Sequence, residues 1–109
     1  MATIEELTET IVKFRDERDW AQFHNAKDLS LALSIEAAEL NQLFLWKSPE
    51  EANVEKIKEE LADVIVYCQD MLDKLELDVD EIVNSKMDKN EAKYPVEKAK
   101  GNAKKYDEL

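Results

Sequence analysis

Residues 34–47 read SIEAAELNQLFLWK, an apolar helical stretch with two glutamates set into it. Glu36 and Glu39 stand one helical turn apart, among Ala32, Ile35, Leu40 and Leu43 on the same face. An unpaired carboxylate is costly to bury, so these two acids need a reason beyond packing. Apolar residues occupy nearly every face of 29–47. The stretch is therefore expected to be the central helix, covered by its own chain and by another. Ser30, Ser34, Glu36, Glu39, Asn41 and Gln42 interrupt it too often for a membrane span.

Working outward, helices are the only expectation. The chain has 109 residues but one glycine and two prolines, so it has almost no turn punctuation and an all-α fold is predicted. Thr3 with Glu6 forms a capping box, and Ile4, Leu7, Ile11 and Phe14 follow at helical spacing, giving a first helix to about residue 18. The period lapses in WAQFHNAK (20–27), read as a loop of rings and amides. Asp28 is expected to cap the second helix, 29 to about 47. Pro49 opens a short turn, Asn53 caps a third helix over 54–76, and Asp78 caps a fourth that ends near Tyr94, before Pro95. The polar tail, 96–109, is expected to be ordered by a neighbouring subunit. Length fits a single domain, 1–109.

A formal net charge of −11 speaks against a duplex-binding protein, which needs a basic footprint. It leaves room for a phosphorylated small molecule bound through divalent cations. The single cysteine, Cys68, excludes an internal disulfide and fits a reducing compartment; its apolar context predicts a buried core residue. No basic-then-apolar leader is apparent, so a cytoplasmic location is expected.

The third helix repeats the oddity of the second. In EELADVIVY, Glu60 and Asp63 share a face with Ile57, Val64, Val66 and Tyr67 nearby. A short connection makes the two helices antiparallel neighbours, so the acidic pairs can face each other across a groove. Four carboxylates converging there repel one another unless cations are present. Hard oxygen donors suit Mg²⁺, with Mn²⁺ as a substitute. A di-iron bundle is the competing reading, but it needs Glu-x-x-His motifs, and the only histidine, His24, has Ala21 three residues before it.

With Glu36-x-x-Glu39 in EAAEL and Glu60-x-x-Asp63 in EELADVIVY, the sequence resembles the MazG-like all-α nucleoside triphosphate pyrophosphohydrolases, nearest the small dCTP pyrophosphatase branch. The likeness continues through FRDERDWAQFHNAKDLSLAL, EAAELNQLFLWK and KMDKNEAKYPVEKAKG. It implies a four-helix unit that dimerises, often as a dimer of dimers, with base pockets completed across the interface. It also implies Mg²⁺-dependent hydrolysis of a (deoxy)nucleoside triphosphate to monophosphate and pyrophosphate, with dCTP or a 5-modified dCTP favoured over dUTP or a broad set. Glu36, Glu39, Glu60 and Asp63 match the family's metal-binding positions. Trp20, His24, Trp46 and Tyr67 resemble those around base and sugar, and Lys86, Asn90 and Lys93 those on the phosphate side.

The residues support several of these roles by their own chemistry. Aromatic rings can stack on a base while a loop imidazole or amide reads its edge. On the fourth helix the stripe Val79, Ile82, Val83, Met87 gives way to Lys86, Asn90 and Lys93. Either Glu36 or Glu39 is the expected proton acceptor for the attacking water. A reading of another class is a non-enzymatic acidic helical oligomer that serves as a scaffold. It supplies no reason for four acids on the two most apolar helices.

Overall fold

Short polar side chains decide where the long helices begin, by accepting hydrogen bonds from backbone N–H groups that lack a partner inside the helix. The computed structural model describes residues 1–109 and contains helices and turns with no strand. Thr3 accepts from the Glu6 N–H at 3.1 Å and starts α1, Ile4–Glu17. After a left-handed Asp19 (φ 54°), a 3-10 turn spans Ala21–Phe23.

The next helix, α2, spans Ala26–Gln42, capped by Asn25 rather than Asp28. Asn25 accepts from the Asp28 N–H and donates its amide to the Asp28 carboxylate, each at 2.8 Å. Asp28 is thus the third residue of the helix, and 26–27 belong to the helix rather than the loop. At the other end the helix stops at Gln42. Residues 43–46 form turns, closing on Trp46 in the left-handed region (φ 62°). Ser48 and Glu51 then close a capping box around the turn Pro49–Glu51.

Asn53 accepts from the N–H groups of Glu55 and Lys56 and starts α3, Val54–Lys74. Asp78 accepts from the Asp80 N–H at 3.0 Å and starts α4, Val79–Lys93. A short α5, Val96–Ala99, follows Pro95, and a 3-10 turn spans Tyr106–Glu108.

The chain divides into two compact units. In Met1–Glu76, α3 packs against both α2 and α1. Leu29, 1 % exposed, and Ala52 are its buried apolar residues. The covered side of α2 is only one side: Leu31 and Ile35 stay exposed, as do Leu61, Ile65 and Cys68 on α3. The expectation of a buried Cys68 is therefore corrected. Leu61, Ile65 and Cys68 lie on one α3 face that neither α1 nor α2 covers, so an apolar sequence context did not imply burial.

In the second unit, Leu77–Leu109, the tail is held by its own contacts. The Tyr94 and Tyr106 rings meet edge to face at 6.2 Å, the Lys93 ammonium lies 4.8 Å above the Tyr106 ring, and the Asn102 amide donates to the Lys98 carbonyl at 2.9 Å.

Candidate active site

Spacing and helix pairing assemble the acids. Glu36 and Glu39 project from one turn of α2, Glu60 and Asp63 from one turn of α3, and the two helices pack together. One carboxylate oxygen from each of Glu36, Glu60 and Asp63 falls within 4.8 Å of the others. Glu39 lies outside that trio but close enough to act on Glu36 and Glu60.

Electrostatics at this point are unfavourable for the bare protein. Burial, then the adjoining Glu39, then the charges of the facing acids raise the Glu36 carboxyl above its ordinary value of 4.5. Glu60 is raised in the same way, by burial first and by Glu39 next. The Oε2 atoms of Glu36 and Glu60 are buried with no hydrogen-bond partner. Orphaned, mutually repelling carboxylate oxygens on two rigid helices fit a hard divalent cation. Glu36, Glu60 and Asp63 are the residues that would hold it.

Beside the acids opens a cavity of about 210 Å³, lined by Trp20, His24, Tyr67, Glu36, Asp63 and Asp70, with an apolar wall from Ile11, Phe14 and Val66. Trp20 is aimed by the turn after Asp19: its N–H donates to the Arg15 carbonyl at 3.1 Å, and its ring meets Phe14 edge to face at 5.7 Å. The Arg18 guanidinium covers the Phe14 ring at 3.6 Å. Tyr67 is held protonated, its phenol pKa raised by burial and by the charges of Glu36, Asp70 and Asp63.

Of the residues singled out in the sequence, Trp20, His24, Tyr67, Glu36 and Asp63 meet at this cavity, with Glu60 in the adjoining acid trio. Trp46 does not join them; it is 93 % exposed. Lys86, Asn90 and Lys93 belong to the second unit, where Asn90 lines a separate groove with Met87, Tyr94 and Val96.

Two residues of the cavity escaped the sequence reading. Arg15 is nearly buried and donates to Asp16 at 3.0 Å and to Asp73 at 2.9 Å. Asp70 is 4 % exposed, with an unpartnered Oδ1. The signal for Asp70 was its position: Asp63, Val66, Tyr67 and Asp70 form one stripe of α3.

Comparison with known proteins follows the same lines. Residues 31–109 match the MazG-like family. Mouse dCTP pyrophosphatase 1 is 38 % identical over 98 % of this chain and 68 % of its own length. The human dCTP pyrophosphatase 1 is 36 % identical over the same shares. A crystal structure of a pyrophosphatase from Archaeoglobus fulgidus superposes with a TM-score of 0.80 at 38 % identity, covering 87 % of this chain and 94 % of that one. With more than half of its length matched by the family and nearly all of it by such relatives, this chain belongs to the MazG-like family and is a pyrophosphohydrolase.

Proposed function

We propose that the enzyme hydrolyses a deoxynucleoside triphosphate, dCTP or a 5-modified dCTP, to the monophosphate and pyrophosphate with Mg²⁺. The observation that carries this reading is the convergence of Glu36, Glu60 and Asp63 within 4.8 Å beside an aromatic-walled cavity. The relatives named dCTP pyrophosphatase support the choice of base.

Glu36, Glu60 and Asp63 would hold Mg²⁺, which would supply neutralisation of phosphate charge and acidification of the attacking water. Those three carboxylates, on two packed helices, would set which end of the cavity the triphosphate occupies. Glu39, beside the trio but outside it, takes the proton of the attacking water on its carboxylate. Trp20 and Tyr67 offer ring faces to the base, and His24 lies at its polar edge. The protonated Tyr67 hydroxyl adds a donor close to the acids. Trp46, exposed on its own chain, is assigned to the pocket of a second copy in a homodimer or homotetramer. Lys86, Asn90 and Lys93 are assigned to phosphates on residue matches alone.

A product assay tests the reading. The natural deoxy- and ribonucleoside triphosphates, with 5-methyl-dCTP and dITP, are incubated with Mg²⁺ and resolved by anion exchange. Monophosphate plus pyrophosphate, abolished by EDTA and fastest for a cytosine nucleotide, is the expected result. Release of orthophosphate, or no turnover by folded protein, would overturn it.

A further inference from the structure

The cavity floor holds an acid for which the metal cluster has no use. Asp70 lies two helical turns beyond Asp63 on α3, is 4 % exposed and lines the cavity. Its Oδ1 has no hydrogen-bond partner. Arg15, the guanidinium on the same cavity, is committed to Asp16 and Asp73 instead. His24, close enough for its charge to act on Asp70, has a buried Nδ1 that is likewise unpartnered. Two buried polar atoms without partners, on two residues that line one cavity, are available to a ligand that supplies both partners.

We propose that Asp70 is a specificity-determining residue whose free carboxylate oxygen accepts a hydrogen bond from the exocyclic amino group of the substrate's base. The inference rests on the nucleotide reading above and deepens it. On a cytosine edge, the amino donor stands next to a ring nitrogen that accepts. A carboxylate takes the first, and an imidazole N–H at His24 Nδ1 donates to the second. Uracil and thymine present a ring N–H flanked by carbonyl oxygens on both sides. Those lone pairs would face a carboxylate, so keto pyrimidines are repelled as well as left unbound. The Trp20 and Tyr67 rings hold either base without telling them apart.

The test compares kcat/KM for dCTP, dUTP and the deoxynucleoside triphosphate of pyrimidin-2-one, which carries hydrogen in place of the amino group. The Mg²⁺-loaded wild type and the Asp70→Asn and Asp70→Ala variants are assayed. The wild type is expected to prefer dCTP over the deamino analogue by roughly 10–100-fold, because the analogue leaves a buried acceptor unpaired. In Asp70→Ala that ratio collapses toward unity. In Asp70→Asn the dCTP/dUTP ratio falls at least about tenfold, since an amide can donate to a carbonyl. Wild type turning over dCTP and the analogue equally well would overturn the proposal without recourse to any variant. So would an Asp70→Ala that lowers all three substrates in proportion, the mark of a structural acid. An enzyme inert toward every nucleotide fails the nucleotide reading itself, whereas an active but undiscriminating one fails only the role given to Asp70.

Discussion

Glu36 and Glu60 make the metal-free protein pH-sensitive in a direction that can be worked out. Both carboxyls are raised above 4.5, by burial first and by neighbouring acids next. Asp70 is raised above 3.8, mainly by burial, with His24 and Arg15 pulling it partly back. In each case the folded state holds its proton more tightly than the unfolded state. Below the unfolded values the three groups are neutral in both states and contribute nothing. As pH rises through the raised values, their ionisation opposes folding, so stability falls. Metal-free protein should therefore melt higher at about pH 5 than at about pH 8. Mg²⁺ should restore several degrees at the higher pH and little at the lower. A melting temperature that rises between those values without metal would show that the acids are solvated rather than in conflict. Glu60→Gln should raise the metal-free melting temperature, shrink the Mg²⁺ response and remove most turnover, since one repelling charge and one ligand go together. The two acidic pairs were legible in the sequence because three-residue spacing fixes a helix face. Asp70 was not, because an acid in CQDMLDK resembles surface decoration until the partner helix shows which face is covered.

At the scale of the element, capping chemistry was the most legible feature. Thr3 (with Glu6), Asn53 and Asp78 (with Glu81) were each identified as helix starts, and each accepts a backbone N–H from the first turn that follows. The start of α2 was misplaced because Asn25 and Asp28 are both cap formers and hydrogen-bond each other. Asn25→Ala should cost about 1 kcal/mol, a fall of a few degrees in melting temperature. Asp28→Ala should cost less, and the reverse order would return the cap to Asp28. The far end of α2 carries a different signature, because Trp46 holds φ 62°, which a side chain disfavours, and exposes its ring. Glycine adopts that conformation freely but is more flexible when unfolded, so Trp46→Gly should change stability by less than about 1 kcal/mol, toward stabilisation. If the ring serves the pocket of a second copy, the same variant should lose roughly tenfold or more in kcat/KM for dCTP, by the scale of aromatic–base stacking. Retained activity with retained stability would leave the ring without a role.

The whole molecule is where single-sequence reading stops short. Periodicity showed that α2 is apolar nearly all round. It could not show which side its own chain covers, because the pattern is satisfied by either face. In Met1–Glu76 one face of the α2–α3 pair is covered, and Leu31 (59 % exposed), Ile35, Leu61 and Ile65 (48 %) remain open to solvent. A chain this short has few residues to cover a second apolar face, and a second copy of the same helices is chemically the best match. The expected outcome is a particle of at least twice the 12.6 kDa chain mass by sedimentation. Leu61→Lys should reduce it to monomer with a lower melting temperature, because a lysine in a dry helix–helix seam is left unpaired. Cys68, one helical turn from Ile65 on that face, supplies an independent readout. Its thiol should react slowly with a disulfide reagent in the wild type and quickly in Leu61→Lys. A wild-type thiol that reacts at once, in a particle of single-chain mass, would mean that the face stays open and that the enzyme works as a monomer. Quick reaction in both proteins, in a particle of at least twice the chain mass, would place the seam on another face.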